Sequence, residues 1–140
     1  MDSDASSHAA GAVLKRWQDG KLRVMEHASQ VFNRAERNYC VTRQELTAVI
    51  FALKVFRPYL LGRHFDFQVD NMVVSFLMKV KNPAGQTTRY MEFLADCECN
   101  LSHRKGAFNA NADGLSRIPR CTELDGEPCQ QCQKTCYWST

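Results

Sequence analysis

The stretch from Arg43 to Asp70 constrains this chain most, because two different hydrophobic periods follow one another across a single breaker. Leu46, Val49, Ile50, Leu53, Phe56 and Leu60 recur at helical spacing and Gly62 follows as a C-terminal stop, so a helix is predicted over 43–61. From His64 the period drops to two, with Phe65, Phe67 and Val69 on one face and His64, Asp66, Gln68 and Asp70 on the other. That alternation predicts a short half-buried strand ending in a carboxylate. A long amphipathic helix feeding such a strand must bury its stripe against a sheet.

The flanking segments fit the same layered plan. Ala10–Trp17 and Leu22–Ser29 read as two strands around Gln18-Asp19-Gly20-Lys21, an Asp-Gly turn signal, so the chain opens with an antiparallel hairpin. Residues 72–80 are apolar enough for a second helix, Lys81-Asn82-Pro83-Ala84-Gly85 breaks it, and Gln86–Ala95 carries a third with Tyr90, Phe93 and Leu94 inward. Cys97–His103 is predicted as the last strand, and Asn109–Arg117 as a short helix ending before Ile118-Pro119. The expected class is α/β: a mixed sheet flanked by helices over residues 1–119, followed by a linker or tail over 120–140.

With 140 residues there is room for one core but not for two full domains. No apolar run reaches the roughly 20 residues of a membrane span, and MDSDASSHAAG lacks the pattern of a secretory signal, so an intracellular location, cytoplasmic or nuclear, is expected. Charge is divided unevenly. Residues 121–140 carry a net −2, whereas positions 1–120 hold 17 basic and 12 acidic residues, a balance that permits a polyanionic partner without requiring one. Seven cysteines, an odd number, argue against a disulfide framework. In the tail, Cys129 and Cys132 have metal-pair spacing, with Cys121 and Cys136 as a third and fourth thiolate; lacking a second CxxC or a tail histidine, zinc is the weaker reading there.

Four carboxylates fall at predicted element ends: Asp4, Glu45, Asp70 and Asp113. Together they suit a two-metal site, since hard oxygen ligands hold magnesium and a pair of ions roughly 4 Å apart can activate water and stabilise a leaving oxygen in phosphodiester hydrolysis. Each also has a bland reading. Thr42-Arg43-Gln44-Glu45 fits a capping box, which spacing alone favours for Glu45, although Ala48 and Ala52 near the same side of the helix would let it approach a sheet closely. Asp70 fits a helix N-cap or a solvated strand end, Asp113 an exposed helix residue, and Asp4 a polar terminus. His103 suits proton transfer near a phosphate, against the commoner structural histidine at a strand end.

The stretch HASQVFNRAERNYCVTRQELTAVIFALKVFRPYLLGRHFDFQVDN closely resembles the ribonuclease H domain of gypsy-class LTR retrotransposon reverse transcriptase polyproteins, and the likeness runs from DASSHAAGAVL to NADGLSRIP, about residues 4–119. The resemblance implies the RNase H-like fold, a five-stranded mixed sheet flanked by helices, and endonucleolytic cutting of the RNA strand of RNA/DNA hybrids with two divalent ions, Mg2+ with Mn2+ as a substitute. The family's DAS motif falls on Asp4, with its Gly seven residues on at Gly11; its helix Glu, in E-L-x-A, falls on Glu45; its strand-end Asp falls on Asp70; and the Asp of A-D-x-L-S-R falls on Asp113. His103 matches the family's proton-transfer or product-release histidine, and Asn109 a supporting residue that orders the site. Expected partners are the hybrid and the reverse transcriptase and integrase regions of one polyprotein, with recognition by backbone and groove shape.

Three departures accompany the likeness. Relatives have a longer strand leading into DAS, whereas only Met1-Asp2-Ser3 precede Asp4, so half a central strand is expected to be missing and a fragment or decayed gene is one expectation. Asp70-Asn71 replaces the usual Asp-His, and Arg104-Lys105-Gly106 the usual Arg-Pro-Gly. The tail resembles the connector preceding an integrase zinc-binding region. Two rivals to the nuclease follow: a catalytically inactive binding or scaffold module, supported by the short first strand, and an interaction protein built around a zinc-holding tail.

Overall fold

The computed structural model describes residues 1–103 and 110–117. Its elements run β1 (Asp2–Ala5), β2 (Ala9–Gln18), β3 (Lys21–Val31), α1 (Arg34–Arg37), α2 (Val41–Val55), α3 (Arg57–Leu60), β4 (Phe65–Val69), α4 (Asn71–Lys79), α5 (Gln86–Ala95), β5 (Cys99–His103) and α6 (Ala110–Ser116). The five strands form one mixed sheet in the order β3-β2-β1-β4-β5. Pairing is antiparallel on the hairpin side and parallel between β1, β4 and β5. The expected fold class is thus the observed one.

The opening hairpin turns where expected. Asp19 and Gly20 both sit at positive φ, 53° and 71°, which matches the twist of the flanking strands and which Gly and Asp tolerate best. A bulge between Leu14 and Lys15 leaves Met25 as the extra residue on β3. The first strand is short, as expected: its four residues pair fully with β2, while β4 meets it at Asp2 opposite Gln68, with Gln68 N–H donating to the Met1 carbonyl at 2.8 Å and Met1 N to the Asp66 carbonyl at 2.8 Å.

The alternating pattern divides the sheet into two faces. Ala12 and Leu14 on β2 and Phe67 and Val69 on β4 pack against Leu46, Val49, Leu53 and Phe56, and with Val73 and Leu94 they form the main core. The other face is open enough at Gly11 for α6 to lie directly on β2. A β-carbon at Gly11 would overlap the Ala112 carbonyl and stand 2.7 Å from Ser116 N and 2.8 Å from Leu115 Cβ, so only glycine allows this approach. Phe67 is fully buried at the centre of the first face, and Phe67→Ala is expected to lower the unfolding free energy in urea by roughly 3–5 kcal/mol, transfer and cavity terms together.

Local structure departs from the sequence reading in three places. The helix predicted over 43–61 begins at Val41 and is interrupted at Phe56, because Pro58 has no N–H for the Lys54 carbonyl and its ring crowds that turn. α1 was not expected; Asn33 and Glu36 cap it reciprocally, Glu36 N–H donating to Asn33 Oδ1 at 2.9 Å and Asn33 N–H to Glu36 Oε2 at 2.8 Å. The predicted capping box at Thr42–Glu45 is absent: the N-cap is Cys40, without a side-chain bond, so Thr42 and Glu45 already lie inside the helix. Among the described residues no helix is long and apolar enough to cross a membrane.

Candidate carboxylate site

Strand order brings the distant acidic residues to one end of the sheet. β1 and β4 are parallel neighbours with Asp2 opposite Gln68, and continuing that register sets Asp4 beside Asp70, where both strands finish. Asp4 is paired with Gly11 in the β1–β2 ladder, so its side chain stands on the face that α6 covers. Glu45 comes from the opposite face. It is buried on α2 and accepts a hydrogen bond from the Ala5 backbone N–H, which ties it to the end of β1. Asp113 arrives on α6, close enough to Asp4 for their carboxyl groups to share a hydrogen bond when Asp4 is protonated.

The electrostatics are those of crowded acids. Burial pushes the Glu45 carboxyl up to about 8, with the negative charges of Asp4, Asp70 and Asp113 adding to it and the Ala5 N–H opposing. Burial likewise raises Asp4 to about 6; the Ser116 hydroxyl opposes and Asp113 reinforces. Asp113 moves the other way, held below the usual carboxylate range by the Arg117 guanidinium, whose Nε stands 2.9 Å and Nη2 2.7 Å from Oδ1. Asp70 performs the N-cap role that its position allowed, accepting from Met72 N–H through Oδ1 at 2.6 Å.

These contacts decide how the carboxylates stand. Among the described residues no three His, Cys, Asp or Glu side chains converge on a single point where an ion could be ligated. Asp113 is turned to Arg117, Asp70 to the start of α4, and Asp4 to Ser116, whose Oγ is 3.0 Å from Oδ2. The donor set nevertheless fits a hard divalent cation: four carboxylates, all oxygen, two of them held in the neutral range by burial and by one another. A cation there would offset the repulsion that adds to burial in raising Glu45, and rotating the partly exposed Asp113 off Arg117 breaks only a surface ion pair, worth about 0–1 kcal/mol.

Of the other candidates, His103 ends β5 opposite Val69, one residue before Asp70, and is exposed. It therefore lies at the same end of the sheet. Asn109, the loop Arg104-Lys105-Gly106 and the tail cysteines Cys121, Cys129, Cys132 and Cys136 lie outside the described residues. Cys40, Cys97 and Cys99 are free thiols. Asp2 is buried and ion-paired with Lys15. Sequence reasoning missed two groups that touch the carboxylates, Ser116 and Arg117; their spacing of three and four residues from Asp113 on one helix was the available signal.

Comparisons with known proteins agree with this architecture. The family model described as an RNase H-like domain found in reverse transcriptase matches residues 1–97, a span that includes Asp4, Glu45 and Asp70. The chain is 37% identical over 118 residues to the retrovirus-related Pol polyprotein from transposon 412 of Drosophila melanogaster, covering 84% of this chain and 10% of that protein. It is 31% identical over 134 residues to the corresponding polyprotein from transposon opus of the same fly, covering 91% of this chain and 13% of that one. The Tf2-3 transposon polyprotein of Schizosaccharomyces pombe is 31% identical over 128 residues, 88% of this chain and 10% of its own length. The chain thus spans about a tenth of the curated relatives it matches.

Two solved structures share the fold. A foamy viral protease-reverse transcriptase in complex with an RNA/DNA hybrid superposes with a TM-score of 0.61 at 17% identity, covering 91% of this chain and 17% of that one. The same kind of enzyme in complex with double-stranded DNA gives 0.59 at 19% identity, over 75% of this chain and 23% of that one. On the match to the family model and the shared five-stranded sheet, this chain belongs to the RNase H-like domains found in reverse transcriptases.

Proposed function

We propose that the chain is the ribonuclease H part of a retrotransposon reverse transcriptase, an endonuclease hydrolysing the RNA strand of RNA/DNA hybrids with divalent metal, and that residues 1–119 form this unit with 120–140 as a connector. The observation that supports the reading is the approach of Asp4, Asp70 and Asp113 to Glu45 at one end of the sheet, close enough that their negative charges add to the burial that raises its carboxyl. A binding module has no use for such a cluster, which costs stability through mutual repulsion.

Asp4, Glu45, Asp70 and Asp113 would hold two magnesium ions, with manganese as a substitute. Bound there, such ions supply activation of the attacking water and stabilisation of the leaving oxygen. The residues have distinct parts. Glu45, anchored by Ala5 N–H, would fix a carboxylate between the two layers; Asp70 is set by its helix cap; Asp113, held only by an exposed ion pair, would exchange Arg117 for a cation. His103, exposed at the end of β5 beside Val69, would pass a proton to the departing 3′ oxygen. Partners in this reading are the hybrid, gripped by its backbone, and the neighbouring polyprotein regions.

The deciding experiment is cleavage of a labelled RNA/DNA hybrid in magnesium or manganese by the parent and by Asp70→Asn. Asn keeps an oxygen for Met72 N–H, so the fold should persist while cleavage falls by about a thousandfold, the range for losing a group that acts only in the transition state. A second reading, a catalytically silent module, is favoured by the engagement of Asp113 with Arg117. A parent that is folded by circular dichroism and binds hybrid, yet cuts nothing in either metal, would establish it.

A further inference from the structure

α6 carries Asp113 to the site from the far face of the sheet, and its last turn shows what orients it. The Leu115 carbonyl accepts from Ser29 Oγ on β3 at 2.7 Å, and the Ser116 carbonyl accepts from Ser6 Oγ in the β1–β2 turn. These bonds satisfy helix-end carbonyls that have no partner within the helix. Ser6 Oγ itself accepts from Ala9 N–H at 3.1 Å and His8 N–H at 3.2 Å. The two serines dock the helix without touching a carboxylate.

The Ser116 side chain does something different. It is fully buried, and its Oγ lies 3.0 Å from Asp4 Oδ2 and 2.9 Å from the Asp113 carbonyl one turn back. A hydroxyl has a single proton, so it cannot donate fully to both. A carboxylate is the stronger acceptor because it is charged, and the bond to Asp4 then takes precedence. That bond joins β1 to α6 at the point where the helix also presents Asp113, and it engages one of the two Asp4 oxygens.

We propose that Ser116 is a positioning residue, its hydroxyl holding the Asp4 carboxylate so that the remaining oxygen serves a divalent ion beside Asp113. The proposal rests on the nuclease reading above. α6 then contributes twice, once through its own carboxylate and once by aiming that of the first strand.

The test compares Ser116→Ala and Ser116→Cys with Ser6→Ala and Ser29→Ala, the last two removing docking bonds only. Manganese binding is measured by titration calorimetry, stability by thermal melting, and kcat and KM on labelled hybrid. Cysteine keeps the volume of the side chain and loses its strong donor, so it separates the hydrogen bond from packing even if alanine unfolds the helix. Both Ser116 variants should bind manganese about tenfold more weakly and lose a similar factor in kcat with KM little changed, the range seen when a metal ligand loses its outer partner. Ser6→Ala and Ser29→Ala should melt earlier and keep manganese affinity within about twofold of the parent, because each removes a bond to a helix carbonyl and leaves the Ser116 hydroxyl on Asp4 in place. Parental manganese affinity in the Ser116 variants, or an equal loss in Ser29→Ala, overturns the proposal while leaving the nuclease intact. A parent that neither binds manganese nor cleaves removes both.

Discussion

Glu45→Gln is expected to remove hybrid cleavage and, in metal-free buffer at pH 8, to raise the melting temperature. The two effects have one cause. Folding transfers the Glu45 carboxyl from water to a buried position beside three other acids, which lifts it from 4.5 to about 8. Because the folded pKa lies above the unfolded one, the folded state keeps a proton between these values that the unfolded chain has released. Stability from this group is therefore fully present below about pH 4.5 and is lost as pH rises through 8. Asp4, raised from 3.8 to about 6, contributes with the same sign over a lower window.

Glutamine keeps an oxygen for Ala5 N–H but has no charge to lose. Parent protein should thus melt progressively earlier from pH 5 to pH 8 without metal, and Glu45→Gln should flatten that slope and gain roughly 5 °C at pH 8, the scale expected for a kilocalorie or so in a domain this size. Magnesium at pH 8 should stabilise the parent more than the variant. Cleavage should fall by about a thousandfold, since an amide cannot replace the carboxylate toward a cation. Melting curves by circular dichroism across this range decide the matter; a variant less stable than the parent at pH 8 would show that Glu45 is not carrying an unrelieved charge.

The second large effect concerns a residue with no functional group. Gly11→Ala puts a methyl where the backbone of α6 already lies, closest to the Ala112 carbonyl and within 2.7 Å of Ser116 N. Neither partner is a flexible side-chain end, so the helix must shift. We expect a loss of about 2–3 kcal/mol in urea unfolding, the upper range for overpacking. Displacement also separates Ser116 from Asp4 and Asp113 from its neighbours, so cleavage should fall by at least about a hundredfold, more than the destabilisation explains, because a misplacement near 1 Å is enough for such a loss. Hydrogen exchange should show α6 amides opening while β1–β4 pairing is unchanged. Protection of α6 equal to the parent, with normal cleavage, would mean that the close approach at Gly11 does not hold the site together.

The family resemblance located Asp4, Glu45, Asp70 and Asp113 and supplied the fold, while spacing alone preferred a capping box for Glu45. That preference failed because the helix begins at Val41 behind Cys40, a residue with no capping oxygen, and cap patterns cannot reveal a helix that starts without one. Asp70 takes the cap that its position allowed, Oδ1 accepting from Met72 N–H, and the ligand role remains the one proposed above. The break at Phe56 was written in Pro58, but a strong apolar period over the whole segment outweighed it.

What the sequence determined by itself were features of short period: the hairpin turn at Asp19-Gly20, the amphipathic α2, the alternation of β4 and the bounds of α5 at Gln86 and Ala95. These depend on interactions between residues a few positions apart, which a pattern records. Only the tertiary structure decided that Asp4 lies beside Asp70, that Glu45 reaches Ala5 from the other face, and that Ser116 meets Asp4 across 112 residues. The reason is physical: those meetings follow from strand order and from helix docking at Gly11, and neither the upward shift of the Glu45 carboxyl nor the bond to Ser116 exists until the sheet has brought its neighbours there.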